Sequence, residues 1–263
     1  MTIALGMACH KGIIVAADTQ ITTGVSIHRD SKLQTFIGKS LVGALVYASD
    51  DINATKTLVR TIERTLRNQE CADTLKLEEL ICGDMTAWRS AYAGTAPAMQ
   101  LILAVRIKGD GARLFFCEPP NTFLENREGY VAAGTGADVT DSLHDTLFGL
   151  SDDMTEVQAA LRRMSYLMYR AKKDNLFCGK TTHCAIVSWD CPEAIIVNHL
   201  DIAAAERIST ELDFLLHTAS TLLLSSTDET IKKNAEAVGK MMEGHKGVRI
   251  STFHDLGQNV ITL

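Results

Sequence analysis

No stretch of this chain approaches the ~20 consecutive apolar residues of a membrane-spanning helix. Its first residues carry neither a basic run nor the apolar core of a secretory leader. A cytoplasmic location is the expectation, with no membrane partner. Basic charge is also short: Lys and Arg total 26 against 32 Asp and Glu, a net charge of −6. That balance argues against a nucleic-acid binder, which needs a basic face. The seven cysteines are dispersed and form no CxxC pair. They read as small buried hydrophobes rather than as a zinc or redox site. The eight histidines show no HExxH or His-Cys cluster, so neither a metal nor another cofactor is expected. Internal repeats and low-complexity linkers are missing too.

With 263 residues, 46% hydrophobic and 22% charged, the chain has the profile of a soluble globular protein able to bury a large core. Apolar runs over Thr2 to Ala8 and Ile13 to Ala17 flank a turn at His10-Lys11-Gly12, and the second run ends on Asp18. A polar connection over 25–31 leads to Lys32, then to two strands, Leu33 to Ile37 and Leu41 to Ala48. The latter is apolar at nearly every position, as in a strand buried on both faces. Asp50 is placed to cap a helix to about Asn68, and a second amphipathic helix follows over 71–91. Strands return at 99–107, 112–117 and 130–133. Helices follow to about Leu147 and from Asp152 or Asp153 to about Lys173, before a final hairpin over 181–188 and 194–199. Strands, two helices, strands, two helices, strands is not the alternation of a doubly wound parallel sheet. It fits an α+β fold, a four-layer αββα sandwich of two antiparallel sheets. Residues 1–200 form this domain. The remainder, 201–263, reads as a mainly helical extension (203–224, then 228–243) packed on the same domain or a neighbour, closing with a β-pair at 248–252 and 259–263.

One residue in the first strand has a chemistry of its own. An N-terminal threonine carries a nucleophilic hydroxyl and, as base, an α-amine whose reference pKa is ~7.7–8.0. Thr2 gains this character when Met1 is removed; with Met1 in place the amine is locked in a peptide bond. A lysine ammonium nearby lowers the pKa of that amine and favours loss of the hydroxyl proton, and a carboxylate is needed to hold the lysine. Asp18 and Lys32 suit these roles. Lys39 sits in a hairpin turn about a strand-length away, and Lys32 is preferred.

The opening, TIALGMACHKGIIVAADTQITTG followed by Lys32, resembles proteasome β-subunits and related bacterial threonine peptidase subunits, members of the N-terminal nucleophile (Ntn) hydrolases. The matching features are the mature-terminus threonine, the G-[IV]-[IV]-V-A-A-D hairpin and the T-x-G after it. LVGALVYASDD is similar to the strand that leads into the family's first helix. AAGTGADVTD is similar to its G-S-G loop, with Thr135 in the serine's place. AKKDNLFCGKTTHCAIVSW is similar to its R-D-x-x-S-G-G turn. The resemblance covers roughly 2–199.

The resemblance implies that Thr2 is nucleophile and base, Asp18 orients the lysine and Lys32 sets the local electrostatics. Thr135 and Asp174 would complete the network around the terminal amine. A backbone N–H near Tyr47 would hold the oxyanion. Ile21 and Leu45 would face the pocket for the side chain preceding the cut, implying an apolar preference. Tyr47 falls where the family has glycine, placing a phenol at the cleft; Phe177 stands where a serine is expected, with Cys178 and Gly179 next. The resemblance further implies a homo-oligomeric ring or related assembly that admits unfolded polypeptides or peptides, with an ATP-dependent unfoldase as a conceivable partner. Two other readings stay open: a catalytically inactive scaffold on the same fold, and an amidase for a small non-peptide amide.

Overall fold

Strand alternation decides the layering. The computed structural model describes residues 2–23, 26–92, 95–118, 122–126, 128–147, 156–210, 213 and 252–253. Strands β1 (Ile3–Cys9) and β2 (Gly12–Asp18) form the expected opening hairpin, with Ala4 opposite Ala17. Ile3, Leu5, Met7, Ile14 and Ala16 point one way into one core, while Ala4, Ile13, Val15 and Ala17 point the other way into a second. Both faces of this hairpin are therefore buried, which its near-continuous apolar sequence requires.

Much of the polar connection expected over 25–31 is instead a strand, β4 (Ser26–Arg29), which pairs with β3 (Gln20–Thr23) as a two-stranded ribbon. Ser26 to Arg29 is exposed throughout, so no buried face imprints an apolar alternation on its sequence. β5 (Leu33–Ile37), β6 (Leu41–Ser49), β7 (Met99–Ile107), β8 (Gly111–Glu118) and β9 (Thr122–Glu125) form a meander in sequential order. β10 (Tyr130–Gly134), β11 (Thr182–Ser188), β12 (Ile195–Val197) and β13 (Thr252–Phe253) complete the other sheet, in the order β10-β1-β2-β11-β12-β13. All pairings in both sheets are antiparallel.

Helices α1 (Ile52–Asn68) and α2 (Thr74–Ala91) cover the outer face of the meander. The cap of α1 is Asp51, one residue beyond the expected Asp50; its carboxylate accepts N–H bonds from Asn53 (2.9 Å) and Ala54 (3.0 Å). Leu58, Ile62 and Leu66 face the sheet, and the Trp88 indole N–H donates to the Ala54 carbonyl at 3.0 Å, tying α2 to α1. Helices α3 (Ala137–Leu147) and α4 (Val157–Asp174) cover the other sheet. Between the sheets, small side chains dominate: Ala4, Ala17, Ala44, Ala104 and Ala133. The fold is the expected four-layer αββα sandwich of two antiparallel sheets. No helix among the described residues is long and apolar enough to cross a membrane.

A fifth helix, α5, covers 199–210 and packs Ile202 and Ala205 into the core beneath α4. The helical segment expected from 228 and the strand at 259–263 lie outside the described residues, while β13 occupies the end of the strand expected at 248–252. Glu206 fastens α5 in place: it accepts from Lys172 Nζ at 2.8 Å and from Thr182 Oγ1 at 2.5 Å. Two charges and a hydroxyl share a site that is mostly shielded from water. Glu206→Ala is expected to lower stability by about 2 kcal/mol, because it leaves Lys172 without its counter-ion. Urea unfolding with an unchanged m-value checks this.

Candidate active site

The ends of β1 and β2 lie side by side, so Thr2 and Asp18 meet although sixteen positions separate them. Lys32 reaches the same point from the start of β5. The loop that carries it is pinned on both sides. Asp30 N–H donates to the Thr19 carbonyl at 2.9 Å and the Asp30 carboxylate pairs with Lys56. On the other side Ser31 Oγ lies 2.9 Å from His183 Nδ1 on β11.

The three side chains are buried, Thr2 at 1%, Asp18 at 0% and Lys32 at 2% exposure. Lys32 Nζ spends its three hydrogens on Thr2 Oγ1, on Asp18 Oδ1 at 2.7 Å and on the Gln20 carbonyl. Asp18 Oδ1 also accepts the Thr2 hydroxyl and Ile3 N–H at 3.2 Å, while Oδ2 accepts Gly179 N–H at 2.9 Å. The carboxylate is thus saturated, and it meets the requirement that a buried charge be paired and hydrogen-bonded. Burial pushes the Lys32 ammonium below its ordinary value, and the Asp18 carboxylate partly restores it. The arrangement can polarise one hydroxyl: a cation on its oxygen, an anion receiving its proton.

Two glycines permit the close approach. Gly134, at φ +93°, leaves no room for a side chain, since a Cβ there would stand 2.3 Å from the Thr2 carbonyl oxygen and 2.9 Å from the Ala48 Cβ. Gly179 faces the Gln20 side chain, whose Oε1 would lie 2.3 Å from a Cβ. The resemblance places Gly179 only in a turn; its N–H also donates to the Asp18 carboxylate. Its neighbour Lys180 is left-handed at φ 64°, which completes that tight turn.

The remaining expected residues divide. Thr135 Oγ1 donates to the Thr2 carbonyl at 3.3 Å and lies 3.9 Å from Cys178 Sγ. Cys178 occupies the place beside Thr135, and burial, with Asp18 adding to it, pushes its thiol up to about 11. It is a neutral thiol at pH 7. Asp174 does not join this group: its carboxylate pairs with Arg170 one turn earlier at 3.0 Å. Asn175, the next residue, takes the nearer place and donates from Nδ2 to the Thr135 carbonyl at 2.7 Å.

A cleft of about 400 Å³ opens at Thr2 and Lys32, lined by Gln20, Ile21, Thr22 and the turn from Ser49 to Asn53. Ile21 lies on its wall as expected. Leu45 and Tyr47 do not, because β6 points them at α1 and α2, where both are 2% exposed. Ala44, Val46 and Ala48 are the residues of β6 that face the other sheet. The one-residue difference puts the expected pair on the wrong face, and with it the expected apolar pocket and the phenol in the cleft. Among the described residues no group of three or more His, Cys, Asp or Glu could hold a metal.

The comparisons with known proteins agree with this fold. No curated protein sequence matches the chain. Solved structures do. An Anbu (ancestral beta-subunit) from Yersinia bercovieri is 20% identical with a TM-score of 0.70, covering 82% of this chain and 97% of its own. An Anbu Gly-1 mutant from Hyphomicrobium sp. strain MC1 is 20% identical with a TM-score of 0.71, covering 84% and 97%. The Anbu complex from Pseudomonas aeruginosa, described as a helical assembly, is 16% identical with a TM-score of 0.72, covering 86% and 99%. At these identities the structures show a shared fold. The model of the proteasome subunit family matches residues 2–187, and the chain belongs to that family.

Proposed function

We propose that the protein is a threonine-type peptidase subunit, an Ntn hydrolase that cuts peptide bonds with Thr2 once Met1 is removed. The observation that carries this reading is the convergence of the Thr2 hydroxyl, Asp18 and Lys32 at one buried point on the floor of an open cleft. Thr2 Oγ attacks the scissile carbonyl. Its proton passes to the freed α-amine, which then hands a proton to the leaving amine. Lys32, held charged by Asp18, lowers the pKa of the α-amine beside it, so that the amine stays unprotonated and ready as base, and it stabilises the developing alkoxide on Thr2 Oγ. The oxyanion is held by a backbone N–H at the Ala48 end of β6, where the strand approaches Thr2. Water activated by the same amine releases the acyl group. Thr135, through the Thr2 carbonyl, fixes the backbone of the nucleophile.

By analogy with the helical Anbu assembly, copies of the chain associate into a homo-oligomer that screens the clefts and admits unfolded chains or peptides. The fully hydrogen-bonded trio at the cleft supports the peptidase reading over a catalytically inactive scaffold on the same fold.

An epoxyketone or β-lactone probe that requires a free N-terminal threonine tests the mechanism. The Met-free chain is expected to gain one adduct on Thr2 by intact mass and peptide mapping, and the chain that keeps Met1 none. Met-free protein that stays unlabelled at saturating probe would establish the scaffold instead.

A further inference from the structure

The cleft beside Thr2 is polar and its charge is unbalanced. Of its ten lining residues only Ile21 and Ile52 are apolar. The Lys32 cation is cancelled by Asp18 at 2.7 Å, and the nearby Asp30 carboxylate is paired with Lys56. Two carboxylates on the wall, Asp50 and Asp51, have no cation opposite them among the described residues. Asp51 spends one oxygen on the first turn of α1, and the positive end of that helix offsets part of its charge. Asp50 is fixed by its backbone instead, its N–H donating to the Ala98 carbonyl at 3.1 Å. That leaves the carboxylate of Asp50 to the cleft.

Resting on the threonine-peptidase reading, we infer that this cleft selects a cationic side chain, lysine or arginine, on the residue whose carbonyl is attacked by Thr2, with Asp50 and Asp51 as the specificity-determining residues. The residue on the acyl side is covalently tied to Thr2 Oγ in the acyl-enzyme, so its side chain must fill the space adjoining Thr2. A volume of about 400 Å³ accommodates an extended basic side chain. Its methylenes lie along Ile21 and Ile52 while its charge meets the carboxylates at the mouth. A glutamate there would face two like charges. An apolar side chain would gain two isoleucines and cover the Asp50 carboxylate without giving it a partner.

The experiment measures kcat/KM of Met-free protein on matched peptidyl-aminocoumarins ending in Arg, Leu or Glu, at low and high salt. In parallel, Thr2→Ala protein is titrated with N-acetyl-arginine amide and N-acetyl-leucine amide by NMR. Arg is expected to exceed Leu by about tenfold at low salt, with the ratio shrinking as screening rises and Glu falling lowest. Asp50→Asn combined with Asp51→Asn should collapse the Arg/Leu ratio toward one, and asparagine keeps the helix cap. Cleavage with Leu equal to or above Arg, or an Arg preference that survives the double substitution, would overturn the inference while leaving the peptidase reading intact. Arginine-selective binding by the Thr2→Ala protein without turnover of any peptide by the Met-free chain would sustain the pocket and defeat the peptidase. Equal binding of both amides would defeat the pocket whatever the turnover.

Discussion

Thr2→Ala is expected to abolish peptide hydrolysis, lowering kcat by about 10³-fold or more while the fold persists. The substitution removes the attacking oxygen and leaves everything else in the cleft. Whatever rate survives must then come from binding and oxyanion stabilisation alone, as when the nucleophile of a hydrolytic triad is removed. Thr2 is buried, and its hydroxyl is both an acceptor for Lys32 and a donor to Asp18. Alanine deletes both bonds, yet Lys32 and Asp18 keep their direct ion pair at 2.7 Å. The buried charges therefore remain compensated and unfolding should shift little. Thr2→Ser separates chemistry from packing: it restores the hydroxyl without the methyl and should recover a large part of kcat. Progress curves on a fluorogenic peptide, with circular dichroism to confirm folding, decide the matter. Full activity in the alanine variant would move the nucleophile elsewhere. Activity in the wild-type chain must also track the fraction of molecules lacking Met1, because the base exists only when that peptide bond is gone.

Much of this was legible in the sequence where a constraint acts locally. The opening hairpin, the apolar β6 and the helical spacing of Leu58, Ile62 and Leu66 each follow from periodicity, and the order of elements then excludes a parallel sheet. Thr2, Asp18 and Lys32 stand out because an N-terminal nucleophile needs a held lysine. The facing of β6 was not legible. LVGALVYA is apolar on both sides, so nothing in its pattern distinguishes the face toward α1 from the face toward the other sheet. Only the register, Val46 opposite Leu33 and Ala48 opposite Gln100, decides it. The resemblance places Leu45 and Tyr47 at the cleft, and the uniformly apolar pattern carries nothing that would correct it. Asp174 was misplaced for a different one: at the C-terminal end of α4 a carboxylate one turn from Arg170 has a local partner, which a short motif cannot weigh. The β3–β4 ribbon was hidden because two exposed four-residue strands carry no apolar stripe. Gly179 acts through its backbone, and residue types do not report backbone donors.

Removing the Lys32 charge should be the most damaging substitution for stability. In Lys32→Met, Asp18 stays buried at 0% exposure, with Ile3 and Gly179 N–H groups but no cation. An orphaned buried charge of this kind costs about 3–5 kcal/mol, enough to consume a large share of a domain's marginal stability. Asp18→Asn in the same chain relieves the orphaned charge, so the double variant should regain most of the loss; a double-mutant cycle by urea unfolding reads this coupling directly. Activity should separate from stability. Both single variants and the double variant lack the ammonium–carboxylate pair and should lose at least about 10²-fold in kcat, even where stability returns. The pH dependence follows from the same burial. Lys32 is held below its ordinary 10.5, chiefly by desolvation. Between that lowered value and 10.5 the unfolded chain binds the extra proton, so this residue's contribution makes stability rise with pH across the window. Catalysis runs the opposite way, because it needs the ammonium. The kcat/KM profile should fall as pH rises through the lowered value, well before a solvated lysine would titrate. Lys32→Arg retains the charge at every accessible pH and should carry that alkaline limb upward if the wider guanidinium fits between Thr2 and the Gln20 carbonyl. An unchanged limb in a folded, active arginine variant would assign the titration to another group.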